Sequence, residues 1–145
     1  MKYQYRLFTP AQAPTTKQIE ATADFLHEHL DQYGDPVEAI KKAIRYAVNP
    51  DRGGLVLEML DNKKIIGAVV INNTGMSEYI PENILVYIAL DKKYRGQGLG
   101  KLIMKRALSL VAGNVALHVE PDNPAKFLYE KLGFTEKYRE MRLIR

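Results

Sequence analysis

The feature that most limits what this chain can fold into is a run of alternating glycines, Tyr94-Arg95-Gly96-Gln97-Gly98-Leu99-Gly100-Lys101. It follows an apolar stretch with strand character, Asn83-Ile84-Leu85-Val86-Tyr87-Ile88-Ala89-Leu90, and opens a stretch with helix character over residues 99–111. Three glycines between a strand and a helix build a turn whose backbone amides are unobstructed by side chains. The free N–H groups at a helix start, together with the helix dipole, favour an anion. A diphosphate is the natural occupant, so the loop points to a nucleotide-containing cofactor. A dinucleotide fold would place Gly-x-Gly-x-x-Gly near the first strand. Here the spacing is Gly96-x-Gly98-x-Gly100, two-thirds along the chain, and no Gly-Lys-Ser/Thr triplet follows. The dinucleotide and Walker A readings are both excluded.

The remaining sequence sets the frame around this loop. A length of 145 residues suits one domain over residues 1–145. No apolar run approaches a membrane span, and Met1-Lys2-Tyr3-Gln4-Tyr5-Arg6 is no signal peptide. The chain has no cysteine, which excludes disulfides, a thiolate nucleophile and Cys-ligated zinc. The expectation is a soluble, cytoplasmic protein without a metal site. The net charge of +4 is unevenly spread. Lys92, Lys93, Arg95, Lys101, Lys105 and Arg106 cluster around the glycines, whereas Glu20, Asp24, Glu28, Asp31, Asp35 and Glu38 form an acidic stretch free of Lys and Arg.

Local signals order the elements. Residues 3–8 alternate as a first strand. Thr15 with Gln18 resembles a capping box, and Ile19, Ala23, Leu26, Leu30 and Tyr33 recur at helical spacing until Gly34. Asp35-Pro36-Val37-Glu38 restarts a helix with Asp35 as N-cap. Residues 55–60 and 65–72 read as a hairpin about Asp61-Asn62-Lys63-Lys64. After the strand at 84–90 and the helix at 99–111 comes a strand at 114–119. Asn123 caps a short helix, with Pro124 at its first position, that ends at Gly133. Residues 134–144 form a last strand, bent or split near Tyr138. The order β-α-α-β-β-β-α-β-α-β predicts an α/β (α+β) domain with a mixed, mostly antiparallel sheet and helices on both faces.

Arg95-Gly96-Gln97-Gly98-Leu99-Gly100 resembles the Arg/Gln-x-x-Gly-x-Gly/Ala signature of the GNAT acetyltransferase superfamily. A second signature of that superfamily resembles Asn123-Pro124-Ala125-Lys126-Phe127-Leu128-Tyr129-Glu130-Lys131-Leu132-Gly133-Phe134. The resemblance implies an acetyl-CoA-dependent N-acetyltransferase in which the fourth strand splays from the fifth at a bulge. It implies that the amides of Arg95, Gly96, Gln97, Gly98, Leu99, Gly100 and Lys101 hold the CoA pyrophosphate, with Lys101 and Lys105 adding attraction. Arg95 either contacts a phosphate or braces its own loop. Ile88, Ala89 and Leu90 would border the pantetheine arm and the acetyl carbonyl. Tyr129 would be the general acid for the leaving thiolate, and Asn123 would bond pantetheine or serve as a plain cap.

His118 in Leu117-His118-Val119 stands where some subfamilies carry a base, and histidine as a residue type titrates near neutral pH. Glu120, Glu82, Glu78 and Tyr79 are further candidates. The acceptor would be a primary amine, of a small molecule or a peptide. Glu28, His29, Asp31, Tyr33 and Asp35, between the first two helices, would attract a cationic one. Only twelve residues follow Gly133, fewer than in many relatives, which would leave either a more open acceptor cleft or a sheet edge for a homodimer partner. A non-catalytic acyl-CoA sensor is the alternative reading. A nucleic-acid-binding module is the weaker one, because the basic patch carries no interleaved aromatics apart from Tyr94.

Overall fold

The computed structural model describes residues 2–145. Five strands form one sheet in the order β1-β2-β3-β4-β5: β1 Gln4–Phe8, β2 Gly54–Asp61, β3 Lys64–Asn73, β4 Asn83–Leu90 and β5 Val115–Leu117. The first four pair antiparallel and β5 joins β4 in parallel. The β2–β3 turn has Asn62 at φ 48° and Lys63 at φ 70°. Two successive positive φ values give the turn twist that suits a two-residue hairpin. Helices α1 Thr16–His29 and α2 Val37–Val48 cover one face, packing Leu26, Ile40 and Ile44 on Val56, Ala68 and Val70. Helices α3 Leu99–Ser109 and α4 Ala125–Lys131 cover the other, packing Ile103, Met104 and Tyr129 among Leu57, Met59, Val69 and Ile71.

The capping box at the start of α1 forms in both directions. Gln18 N–H donates to Thr15 Oγ1 at 3.2 Å, and Thr15 N–H donates to Gln18 Oε1 at 2.8 Å. The helix does not run on to Tyr33. Asp31 adopts φ 55°, which breaks the helical path, and a 3-10 turn at Asp31–Tyr33 follows. Asp35 does not cap α2, whose N-cap position is Pro36 without a side-chain bond. The Asp35 carboxylate accepts instead from Tyr87 Oη at 2.5 Å. A cap saves one helical N–H; the bond from a buried phenol is a competing use for the same oxygen.

Two structural details shape the site. The β3–β4 ladder shifts register between Val70 and Ile71, pairing Val70 with Tyr87 and Ile71 with Leu85 and leaving Val86 as an extra residue. A bulge switches the faces of a strand. Accordingly Leu85 lies in the α3 core whereas Tyr87 and Ala89 lie in the α1/α2 core. The β4–β5 ladder covers Asn83 to Leu85 on β4 and stops at Leu117 on β5. From Val86 to Leu90 the outer edge of β4 has no strand beside it among the described residues, so the sheet splays as expected.

The last strand expected at 134–144 does not form. Tyr138, Met141, Leu143 and Ile144 occupy both parities of that segment and are exposed. They cannot line one face of a strand, and a three-residue β5 offers little ladder to pair with. The segment is held at its start, where Phe134 packs edge-on against Tyr129 and Lys126 Nζ lies 2.8 Å from Glu136 Oε1.

Candidate active site

The glycine turn stands at the end of β4, braced from both sides. Tyr94 Oη donates to Asp61 Oδ2 at 2.8 Å, tying the turn to the β2–β3 hairpin. Donating this bond to Asp61, together with burial and the Asp61 charge, pushes the Tyr94 phenol pKa up. Arg95 Nη2 donates to the His29 carbonyl at 2.7 Å, Nε donates to the Leu90 carbonyl at 3.3 Å, and Nη1 lies 3.3 Å from Asp31 Oδ2. Of the two roles expected for Arg95, the structure displays the brace. Gly96 and Gly98 sit at φ 78° and 79°, left-handed backbone that glycine adopts without strain. A Cβ added at either would meet nothing within 4 Å, so open space faces the turn.

Gly98 is the N-cap of α3 with no side-chain bond. The first helical bond runs from Leu102 N–H to the Gly98 carbonyl. The amides of Leu99, Gly100 and Lys101 therefore precede the helical ladder. Gln97, Lys101 and Lys105 are exposed beside them. Gly100 lies at a junction rather than in the open cradle, since its Cβ would stand 3.4 Å from Leu128 Cδ2 and 3.6 Å from Leu90 Cδ1. These contacts bring the end of β4, the start of α3 and the body of α4 together. Ile88 and Leu90 point to the α3 side and Ala89 to the other.

Tyr129 is 7% exposed, and among the described residues its hydroxyl has no hydrogen-bond partner. Burial pushes its pKa up to about 12. Its helix ends with Gly133 N–H bonded to the Glu130 carbonyl and Phe134 N–H to the Tyr129 carbonyl, the double closure of a Schellman end. Asn123 Oδ1 accepts from Ala125 N–H at 2.9 Å; the helix starts one residue later than expected, with Pro124 at the N-cap position and Asn123 just before it. His118 lies one residue beyond β5 rather than within it and is exposed.

The other base candidates are not gathered at one point. Glu82 Oε1 accepts from Asn114 N–H at 3.0 Å, Glu78 adopts φ 68° in the β3–β4 loop, and Glu120 and Tyr79 are exposed. The acidic stretch is largely engaged within the protein. Asp31 holds Arg95 and Lys92, the latter at 2.9 Å, and these cations keep its carboxyl pKa below the usual range, Lys92 foremost. Asp35 holds Tyr87, whose phenol pKa is raised by burial and by that bond. His29 is buried, accepts from Lys92 N–H at 3.4 Å through Nδ1, and stacks on Phe25. Tyr33 Oη donates to the Asp122 carbonyl at 3.2 Å. Glu28 is left exposed, its Oε2 3.3 Å from His29 Nε2.

The sequence and the fold both have counterparts among known proteins. The acetyltransferase (GNAT) domain family matches residues 52–136, more than half of the chain and inclusive of both signature stretches. The chain belongs to the GNAT acetyltransferase family. It is 33% identical over 86 residues to the [ribosomal protein bS18]-alanine N-acetyltransferase of Haemophilus influenzae, covering 57% of this chain and 56% of that one. It is 32% identical over 80 residues to N-alpha-acetyltransferase 30 of Schizosaccharomyces pombe, covering 52% and 53%. The chain thus spans about half the length of the curated relatives it matches. The GNAT fold extends further than these matches. A crystal structure of the NatC complex bound to Gag peptide and CoA superposes with a TM-score of 0.73 at 18% identity, over 96% of this chain and 88% of that one.

Sequence reasoning missed Tyr94, Lys92 and Tyr87 as supports of the site. Tyr94 carried a weak signal, as the one aromatic beside the basic cluster. Tyr87 carried none, because an all-apolar strand does not reveal where a bulge exchanges its faces.

Proposed function

We propose that this chain transfers the acetyl group of acetyl-CoA to a primary amine. The observation that carries the reading is the bulged β4, whose unpaired edge at Val86–Leu90 leads straight into the uncapped start of α3. The residues present fit the cofactor: side-chain-free space at Gly96 and Gly98, amides ahead of the α3 ladder, and exposed lysines at 101 and 105. Bound there, acetyl-CoA supplies the activated thioester. The amides of residues 98–101 then hold its diphosphate, and the free edge of β4 lies along its arm. A backbone N–H near Leu90 can stabilise negative charge developing on a carbonyl oxygen.

Tyr129 acts as donor in this reading. A phenol with a pKa raised to about 12 stays protonated at neutral pH, whereas a thiol of ordinary pKa near 8.5 leaves readily as thiolate. The hydroxyl therefore stabilises the departing sulfur first by a hydrogen bond, with full proton transfer following only as charge builds there. His118, at the mouth of the split, takes the amine's proton, directly or through water. With no cysteine in the chain, the amine attacks the thioester without a thiol acyl-enzyme.

The names of the two curated relatives, one for an alanine of a ribosomal protein and one for N-alpha-acetylation, favour an α-amino group as the acceptor. The cytoplasm, where such amines and acetyl-CoA meet, is the compartment we assign. The test is mass spectrometry of an amine panel, comprising peptides with free α-amines, polyamines and aminoglycosides, incubated with the protein and acetyl-CoA. A 42 Da gain on a peptide α-amine is expected. CoA binding without a gain on any amine would turn the reading to the acyl-CoA sensor.

A further inference from the structure

The segment at residues 30–36, between α1 and α2, is bonded to three separate parts of the split. On the β4 side, Tyr87 Oη donates to Asp35 Oδ2 at 2.5 Å. On the β5 side, Tyr33 Oη donates to the Asp122 carbonyl, in the turn before α4, at 3.2 Å. At its start, Asp31 is gripped by Arg95 Nη1 at 3.3 Å and Lys92 Nζ at 2.9 Å. A segment bonded both to β4 and to the turn that leaves β5 must cross the opening between those strands. It forms a strap over the mouth of the split.

The grip on Asp31 comes from the chain leading into the glycine turn. Arg95 is itself fixed by the Leu90 carbonyl at 3.3 Å and the His29 carbonyl at 2.7 Å, so it moves with that turn. Lys92 and Arg95 stand in the chain that leads directly into the glycine turn, so a ligand ordering that turn also restrains both cations. Asp31 is the strap's ionic link to them. Its lowered pKa keeps the carboxylate charged at neutral pH.

We infer that Asp31 is a positioning residue: through Arg95 and Lys92 it fastens the 30–36 strap to the glycine turn, so that cofactor binding orders the segment an incoming amine must pass. This rests on the reading of the glycine turn as the CoA site. It also reassigns Asp31, which binds protein cations and is not free to recognise a cationic acceptor. Coupling of this kind needs no large movement, only a loss of freedom shared by two segments.

The test is hydrogen exchange of the full chain with and without saturating CoA, for wild type and Asp31→Asn. Asparagine has the same shape and tolerates the left-handed backbone at this position, so the variant removes charge alone. In wild type, CoA should slow exchange in peptides covering residues 95–102 and, by roughly threefold, in those covering 30–36, the worth of two partly exposed ion pairs. In Asp31→Asn the first protection should persist and the second should vanish. Equal CoA-induced protection of the strap in both proteins would overturn the inference. So would an unresponsive wild-type strap above a protected turn. Absence of protection over residues 95–102 in both proteins would instead remove the cofactor reading, and the inference with it.

Discussion

Replacing Gly98 by alanine separates the backbone requirement of the glycine turn from its use as a cradle. Gly98 holds φ 79° and ψ 7° at the N-cap of α3. An L-residue in that conformation costs about 1–2 kcal/mol. No steric term is added, because the new Cβ would find nothing within 4 Å. For a chain of this length the melting temperature should fall by roughly 3–6 °C. CoA binding should suffer more. The methyl group would stand in the open space before the amides, where losing one charge-assisted bond of about 1.5–3 kcal/mol lowers affinity about 10- to 100-fold.

Gly75 provides the control. It sits at φ 77° with nothing within 4 Å of its Cβ, in the loop between β3 and β4, at the end of β4 opposite the glycine turn. Gly75→Ala should match the loss of melting temperature and leave CoA affinity unchanged. Thermal denaturation paired with isothermal calorimetry reads both quantities. Unaltered CoA affinity in Gly98→Ala, or an equal loss in both variants, would refute the reasoning.

Tyr129→Phe should lower kcat by about 10- to 100-fold in steady-state assays while leaving CoA affinity within about twofold, since the lost hydroxyl bonds no protein group. Glu58, fully buried on β2, accepts from Arg6 Nε and from Thr22 Oγ1, each at 2.6 Å. Glu58→Gln should destabilise the fold by about 2–4 kcal/mol in urea titration, because it leaves a guanidinium without its countercharge. Asp91 accepts from Lys93 N–H at 2.9 Å, and this bond, with His29 and Lys64 beside the carboxylate, holds its pKa below the usual carboxylate range. Stability from a group whose folded pKa is depressed is present above the unfolded pKa and lost as pH falls through the folded one. Denaturation followed from pH 5 downward should therefore show a smaller acid loss in Asp91→Asn than in wild type.

Local signals carried most of the architecture. Thr15 and Gln18 marked the start of α1, and Asn62-Lys63 sat where the hairpin turns. Gly96 and Gly98 marked the boundary between β4 and α3, and Gly133 the end of α4. These features are set by a few neighbouring residues, so sequence alone displays them. Long-range pairings were not legible. Nothing near Asp31 announces Arg95, and nothing near Asp35 announces Tyr87, yet these partners engage the Asp31 carboxylate and take Asp35 from its cap. A bulge in β4 was implied by the family resemblance, but its position at Val86 was hidden because every neighbour is apolar. Glu58 did leave a trace, as a lone carboxylate within Leu55-Val56-Leu57-Glu58-Met59-Leu60. Residues 134–144 looked like a strand by propensity, but their apolar side chains share no face. His118 was expected inside β5 and stands one residue past its end.

A crystal structure of the CoA complex tests the central claim most directly. The account predicts the diphosphate on the amides of residues 98–101 and the pantetheine arm along the unpaired edge of β4 between Val86 and Leu90, with the sulfur within reach of the Tyr129 hydroxyl. CoA bound elsewhere, or a β4 edge closed by another strand, would contradict it.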